Sequence, residues 1–391
     1  MGITHQHTHT RGAHFTPGGH TWGSHLGIVV GGTCRGRVYR RVLDRIANGR
    51  LRFITASLAG SSQRKYAGNF RRFESWVAQR GATLGPILDG SQPLQEEDLL
   101  MDFIVYQVEV RGLKHSTISG YMSAIRWVHL ANGFDDPTAN KPRLRMARRA
   151  IKRLTGEVKG KLPVTPDMLK HIGSNLAMDE AKHAVTWAGL NLAFFFLLRS
   201  AEYCDDPIKA LQVGDVQFFK EGEPTDDLEQ ADELVIFIRS SKTDQTRKGA
   251  RRNAYKTGSL LCPVVAAAKV MRLRQSMGAA DDDPFLAYGH KQMLTRKTVT
   301  EVLRWAAKDL GQVEANFASH SLRIGGASTM LACGYSEEYI RRQGRWQSYC
   351  WRQYAYDNRE QMAGVSTAMA TSDYTVMSAG QDFVHRRRGV G

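Results

Sequence analysis

A short string near residue 320 sets the chemical question. His320-Ser321-Leu322-Arg323 opens a stretch that reads as a helix through Ser328, and a three-residue spacing puts His320 and Arg323 on one helix face. A guanidinium matches two oxygens of a phosphate, and an imidazole beside it can transfer a proton or donate a hydrogen bond. The pair therefore suits a phosphoester, although H-x-x-R alone is far more often a structural histidine beside a surface arginine. Gly344-Arg345-Trp346 follows, and Tyr354 lies eight residues after the tryptophan. A phenol with an ordinary pKa near 10 can act as a nucleophile at neutral pH if a base or a cationic surround helps it ionise. Upstream, the apolar run Asn191 to Leu198 leads straight into Arg199, with Glu202 three residues later. Taken alone, Arg199 reads as a cation snorkelling from a helix end.

These residues need a frame and a partner. At 391 residues, with 42% hydrophobic composition, the chain fits two domains plus tails. Lys and Arg outnumber Asp and Glu by 54 to 38, for a formal charge of +16, which favours a polyanionic partner such as nucleic acid. No stretch approaches the roughly 18 to 20 apolar residues of a membrane span, and the N-terminus lacks a charged segment followed by an apolar one, so a soluble intracellular protein is expected. Five scattered cysteines without a C-x-x-C pair fit reduced thiols rather than a disulfide framework or a zinc site.

Residues 1–56 hold six of the thirteen histidines (His5, His7, His9, His14, His20 and His25) and read as a flexible arm, without the folded frame that would make H-x-H-x-H a metal site. Residues 57–153 read as a small helical domain. Its first helix opens at Ser61-Ser62 as caps and aligns Tyr66, Phe70, Phe73 and Val77; another begins at His115, aligns Ile118, Tyr121, Met122, Ile125 and Val128, and stops at Asn132-Gly133. Residues 141–153 carry seven basic side chains and no acid, which marks a linker candidate. Residues 154–365 read as a mixed α/β domain: a helix from Thr165-Pro166-Asp167, the apolar helix before Arg199, a strand at Leu234–Ile238, then a hairpin with a lysine near its tip and further helices. Residues 366–391 form a second tail.

In order and approximate spacing, Arg199, Lys242, His320-x-x-Arg323, Gly344-Arg345-Trp346 and a late tyrosine resemble the tyrosine recombinase (phage integrase-like) family over about residues 60 to 360. Gly344-Arg345-Trp346 with Tyr354 resembles the crypton-like eukaryotic mobile-element branch in particular. The resemblance implies a mainly α fold with a small antiparallel sheet, in which a helical core-binding (SAM-like) domain and a mixed catalytic domain close round double-stranded DNA as a C-shaped clamp. It implies DNA strand exchange through a 3′-phosphotyrosine, a homo-tetramer on DNA, and no metal, ATP or other cofactor. It places such a protein in the nucleus for a eukaryotic element and in the cytoplasm for a bacterial host.

Carried over residue by residue, the resemblance makes Arg199 and Arg323 the phosphate-binding arginines, Lys242 the general acid for the departing 5′ oxygen, His320 the proton acceptor and Tyr354 the nucleophile. Trp346 donates its indole N–H to the phosphate or packs to position the tyrosine. Tyr356 and Tyr349 share the aromatic segment with Tyr354, and Lys248 competes with Lys242. DNA-backbone contacts are expected from Arg64, Lys65, Arg71, Arg126, Arg145, Arg148, Arg149, Lys152, Arg247 and Lys248. The competing readings are a DNA-binding protein that has lost the chemistry and a type IB topoisomerase-like relaxing enzyme.

Overall fold

The computed structural model of the chain describes residues 49–50, 52–81, 84–156, 160–239, 244, 248–290 and 292–353. The histidine run, Lys242, Arg247, Tyr354, Tyr356 and the C-terminal tail lie outside the described residues. The chain divides into two compact units between Ile151 and Lys152.

The first unit is built from helices α1 (Gly60–Gln79), α2 (Pro93–Glu109), α3 (His115–Ala131) and most of α4 (Pro142–Leu154). Phe70, Phe73 and Val77 of α1 meet Leu100, Phe103 and Ile104 of α2 and Ile118, Met122 and Ile125 of α3 in one apolar core, with Phe73 and Phe103 edge to face at 5.1 Å. Tyr66 stays only partly covered, tilted against Trp127. The expected serine cap is corrected: α1 starts one residue before Ser61, on Ala59, whose carbonyl takes the first turn's amides from Ser62 and Gln63. α3 ends as expected, with Gly133 at φ +83° just past it.

Residues 141–153 are not a linker. They form α4, because Leu144 and Ile151, seven residues apart, lie on one face and enter the core of the first unit. Buried Glu97 fixes the helix start, accepting from the Leu144 amide at 3.0 Å and from Arg143 at 3.3 Å. The run of basic side chains occupies the remaining faces.

In the second unit, α5 (Pro166–Ser174) starts where expected, Thr165 accepting from the Met168 amide at 3.2 Å. Every residue of α6 (Ala181–Phe195) from Ala184 to Phe194 is buried, as expected for a helix apolar all round. It packs on α7 (Pro263–Ser276), α8 (Arg296–Asp309) and α9 (His320–Ala332). A four-stranded antiparallel sheet, in the order β2 (Glu223–Pro224), β1 (Val216–Lys220), β3 (Glu233–Ile238) and β4 (Ala250–Tyr255), buries alternate residues Leu234, Ile236 and Ile238. Two short strands, β5 (Ala287–Gly289) and β6 (Gln292–Met293), make a hairpin, and α10 (Glu337–Gln343) follows α9. The fold is thus mainly helical with a small antiparallel sheet. No described helix is long and apolar enough to cross a membrane.

Two glycines let α9 approach its neighbours. A Cβ on Gly325 would stand 2.0 Å from the Val164 carbonyl oxygen, and one on Gly326 would stand 2.2 Å from that of Phe194. Neither backbone neighbour can swing aside as a side chain would. Gly325→Ala or Gly326→Ala is therefore expected to destabilise the protein by the upper end of about 1–3 kcal/mol. Urea unfolding of the full chain checks this; an unchanged midpoint would show that α9 is free to shift.

Candidate active site

The site forms where α6 stops. The helix expected to run to Leu198 ends three residues early: Phe196 caps α6, Leu197 takes a left-handed φ of +50°, and Arg199 begins a single 3-10 turn, Ser200–Glu202. This break leaves the carbonyls of Phe195, Phe196 and Leu197, at the end of a mostly buried helix, without helical amide partners. Side chains from distant segments supply the donors. Gln343 Nε2 reaches the Phe195 oxygen at 3.2 Å, Arg345 Nη1 reaches the Phe196 oxygen at 3.1 Å, and the Leu197 oxygen takes both Arg345 Nη2 at 3.3 Å and Arg323 Nη1.

Arg323 is among the largest fully buried side chains of the described residues, 1% exposed. Its Nη2 also donates to the Gly344 oxygen at 2.5 Å, and its guanidinium lies 4.2 Å over the Trp346 ring. The turn after α10 is shaped to allow this. Arg345 adopts φ +58°, and Trp346 folds back over Gly344 so closely that a Cβ there would stand 1.7 Å from the ring. Trp346 joins Leu197, Ala327, Ile340 and Trp351 in a small apolar cluster around this arrangement.

Glu202 is the carboxylate at the centre. Its Oε1 accepts from Arg199 Nη1 at 3.0 Å, while its Oε2 accepts from the Arg199 amide at 2.9 Å and from Arg345 Nη2 at 2.6 Å. Glu202 and Arg345 are nearly enclosed, whereas the Arg199 side chain keeps 23% of its surface exposed. Burial pulls the Arg345 pKa below its ordinary value, and Glu202 works against that shift. His320, at the head of α9, keeps an exposed surface. Desolvation, then the positive charges of Arg323 and Arg199, hold its pKa below the usual 6.5. The imidazole is therefore neutral at physiological pH and able to accept a proton.

Arg199, His320, Arg323 and Trp346, named from the sequence, come together in this one place. Lys242 and Tyr354 lie outside the described residues, although Trp351 and the short turn Tyr349–Gln353 bring the chain to within one residue of Tyr354. Three participants were not assigned roles from the sequence: Glu202, Arg345 and Gln343, each of which has a partner more than 140 residues away. A cleft beside Trp346 is lined by Lys248, Arg252, Arg341, Arg342 and Arg345, with Asp244 as its acidic member. Arg252 donates to the Arg342 oxygen, and its pKa is lowered by burial and by the neighbouring Arg342 charge. Cys204 carries no nucleophilic role here, since burial pushes its thiol up to about 12.

Of the residues expected at the DNA backbone, Arg64, Lys65, Arg71, Arg145, Arg149 and Lys152 are exposed on the first unit's helices or the end of α4, and Lys248 is exposed beside β4. Arg148 is half-buried, and Arg126 is exposed but pairs with Asp136 at 2.6 Å.

No family model matches the sequence, and no curated relative does. Solved structures do. The post-cleavage complex of the XerH site-specific recombinase with a palindromic difH substrate aligns at a TM-score of 0.54 and 12% identity, covering 79% of this chain and 80% of that one. The Tn1549 transposon integrase with transposon right-end DNA aligns at 0.48 and 12%, covering 82% and 99%. A lambda integrase tetramer bound to a Holliday junction aligns at 0.42 and 12%, covering 84% and 83%. The XerH alignment carries the conclusion that the chain has the tyrosine recombinase fold.

The depressed His320 pKa has a signed consequence. The folded chain binds this proton less readily than the unfolded chain, so stability is lost as pH falls through 6.5 toward the lower folded value. Urea unfolding at about pH 7.5 and about pH 5.5 should show a smaller difference for His320→Gln than for the unaltered chain. An identical difference would mean that His320 titrates normally.

Proposed function

We propose, from the tyrosine recombinase fold and the residues gathered at the end of α6, that this protein is a site-specific DNA recombinase or integrase that breaks and rejoins strands without metal or ATP. The observation that carries the reading is the placement of His320 within the field of both Arg199 and Arg323, in the unit that also presents Trp346 and a cationic cleft. A phosphodiester in that field meets charge compensation and a neutral proton acceptor together.

In the proposed reaction the Tyr354 hydroxyl attacks the scissile phosphorus and gives its proton to His320. The bond to the 5′ oxygen breaks, and Lys242 protonates that oxygen as it leaves. The product is a 3′-phosphotyrosine, an ester in place of an ester, so the reverse attack by a 5′ hydroxyl rejoins the strand. Arg199 offers the more accessible guanidinium to the non-bridging oxygens. Arg323, committed to the Leu197 and Gly344 carbonyls, contributes its charge from the low-dielectric interior. Trp346 holds that guanidinium in place and packs beneath the segment leading to the tyrosine.

In this reading residues 57–153 form the DNA-holding helical domain and residues 154–365 the catalytic domain. Residues 1–56 and 366–391 are appended arms. The partner is double-stranded DNA, on which four protomers assemble, and integration or excision of a mobile element is the role that fits.

Covalent trapping tests the reaction class. Duplexes nicked near the scissile position should leave a denaturation-resistant DNA adduct that maps to Tyr354, and Tyr354→Phe should abolish it while leaving DNA affinity within about twofold. A chelator should change nothing. An adduct on Tyr356 would keep the class and move the nucleophile; relaxation of a single circular duplex without exchange between two sites would favour the topoisomerase-like reading. No adduct with DNA bound tightly at a defined site would leave a DNA-binding protein without this chemistry.

A further inference from the structure

We propose that Arg345 is a positioning residue for Arg199, acting through Glu202; the assignment rests on the strand-exchange reading above. Glu202 stands between two guanidinium groups, with Oε1 on Arg199 Nη1 at 3.0 Å and Oε2 on Arg345 Nη2 at 2.6 Å. The two arginines are not equivalent. Arg345 is pinned by the carbonyls of Phe196, Leu197 and Gln343 and is 8% exposed, so it cannot leave the carboxylate without abandoning buried acceptors. Arg199 has one carboxylate contact from its guanidinium and nearly a quarter of its side chain open to solvent. The shared carboxylate therefore orients Arg199 without neutralising it.

The backbone supports this reading. Arg345 sits at φ +58°, a left-handed conformation that suits glycine and that L side chains adopt only where their surroundings over-determine it. Four acceptors converge on this guanidinium: three carbonyl oxygens and one carboxylate oxygen. Arg345 thereby ties the turn carrying Trp346 to the turn carrying Arg199, and its charge takes up half of Glu202. Without it, Glu202 would pair with Arg199 alone and draw that guanidinium from its place at the phosphate.

Arg345→Gly tests this without backbone strain, and Arg345→Lys keeps the charge but not the planar fork that spans Glu202 and the carbonyls. Single-turnover covalent cleavage is read on two nicked duplexes, one with the natural scissile phosphodiester and one with a neutral methylphosphonate there. Arg199→Ala serves as the reference, because a neutral phosphonate needs little charge compensation. Both Arg345 variants should cleave the phosphodiester about 10²-fold more slowly and the methylphosphonate within about threefold of the unaltered chain, following Arg199→Ala.

A general loss of structure would slow both substrates equally. That result in Arg345→Lys, or unimpaired phosphodiester cleavage in either variant, overturns the assignment. Should Arg345→Gly fail to fold, Arg345→Lys decides. Absence of any adduct from the unaltered chain on DNA bound at a defined site would instead overturn the strand-exchange reading, and the assignment with it.

Discussion

The buried end of α6 is the constraint from which the rest of the second unit follows. A helix that terminates in the interior leaves carbonyl oxygens that water cannot reach, and leaving them unmade costs about 1–3 kcal/mol each. The negative end of the helix dipole adds a preference for cations at that spot. Gln343, Arg345 and Arg323 answer the demand from two later segments, α9 and the end of α10 with the turn that follows it. Satisfying a helix end thus brings guanidinium groups to one place, and the same contacts fix the chain on either side of Arg199.

Collecting arginines in a protein interior is unfavourable unless something offsets their desolvation. Here the offsets are visible: backbone carbonyls for Arg323 and Arg345, the Trp346 face for Arg323, and Glu202 for Arg345 and Arg199. Glu202 is shared by only two of these three guanidinium groups, so among the described residues the cluster stays cationic. His320 registers that excess directly, since two of the influences depressing its pKa are arginine charges. The cleft beside Trp346 continues the same sign outward through Lys248, Arg252 and Arg342. A phosphodiester is the kind of group such a field would draw, and the rigidity of the donors means little rearrangement is needed to receive it.

Helices α1 and α3 of the first unit were legible because their apolar residues recur at helical spacing: Phe70, Phe73 and Val77, then Ile118, Met122 and Ile125, all enter the core. The helix opening at His320 was equally plain. The stretch 141–153 misled because seven basic residues outweigh Leu144 and Ile151, the two that hold it down. Strands β1, β2, β5 and β6 offer two to five residues each, too few for alternation to show. The break before Arg199 left no trace, since Leu197 adopts a left-handed conformation with no glycine to announce it. Motif order singled out Arg199, His320, Arg323 and Trp346. The bridge from Glu202 to Arg345 is a tertiary contact across 143 residues, for which local spacing holds no sign.

The small cluster under Trp346 also sets the length of a leash. Trp351 is 2% exposed and shares that cluster with Leu197, the residue whose carbonyl Arg323 holds. Tyr354 follows three residues later in the sequence, a length of chain that spans at most about 11 Å when fully extended. As long as Trp351 remains seated, the residues beyond it start from the same anchor that holds the break at the end of α6.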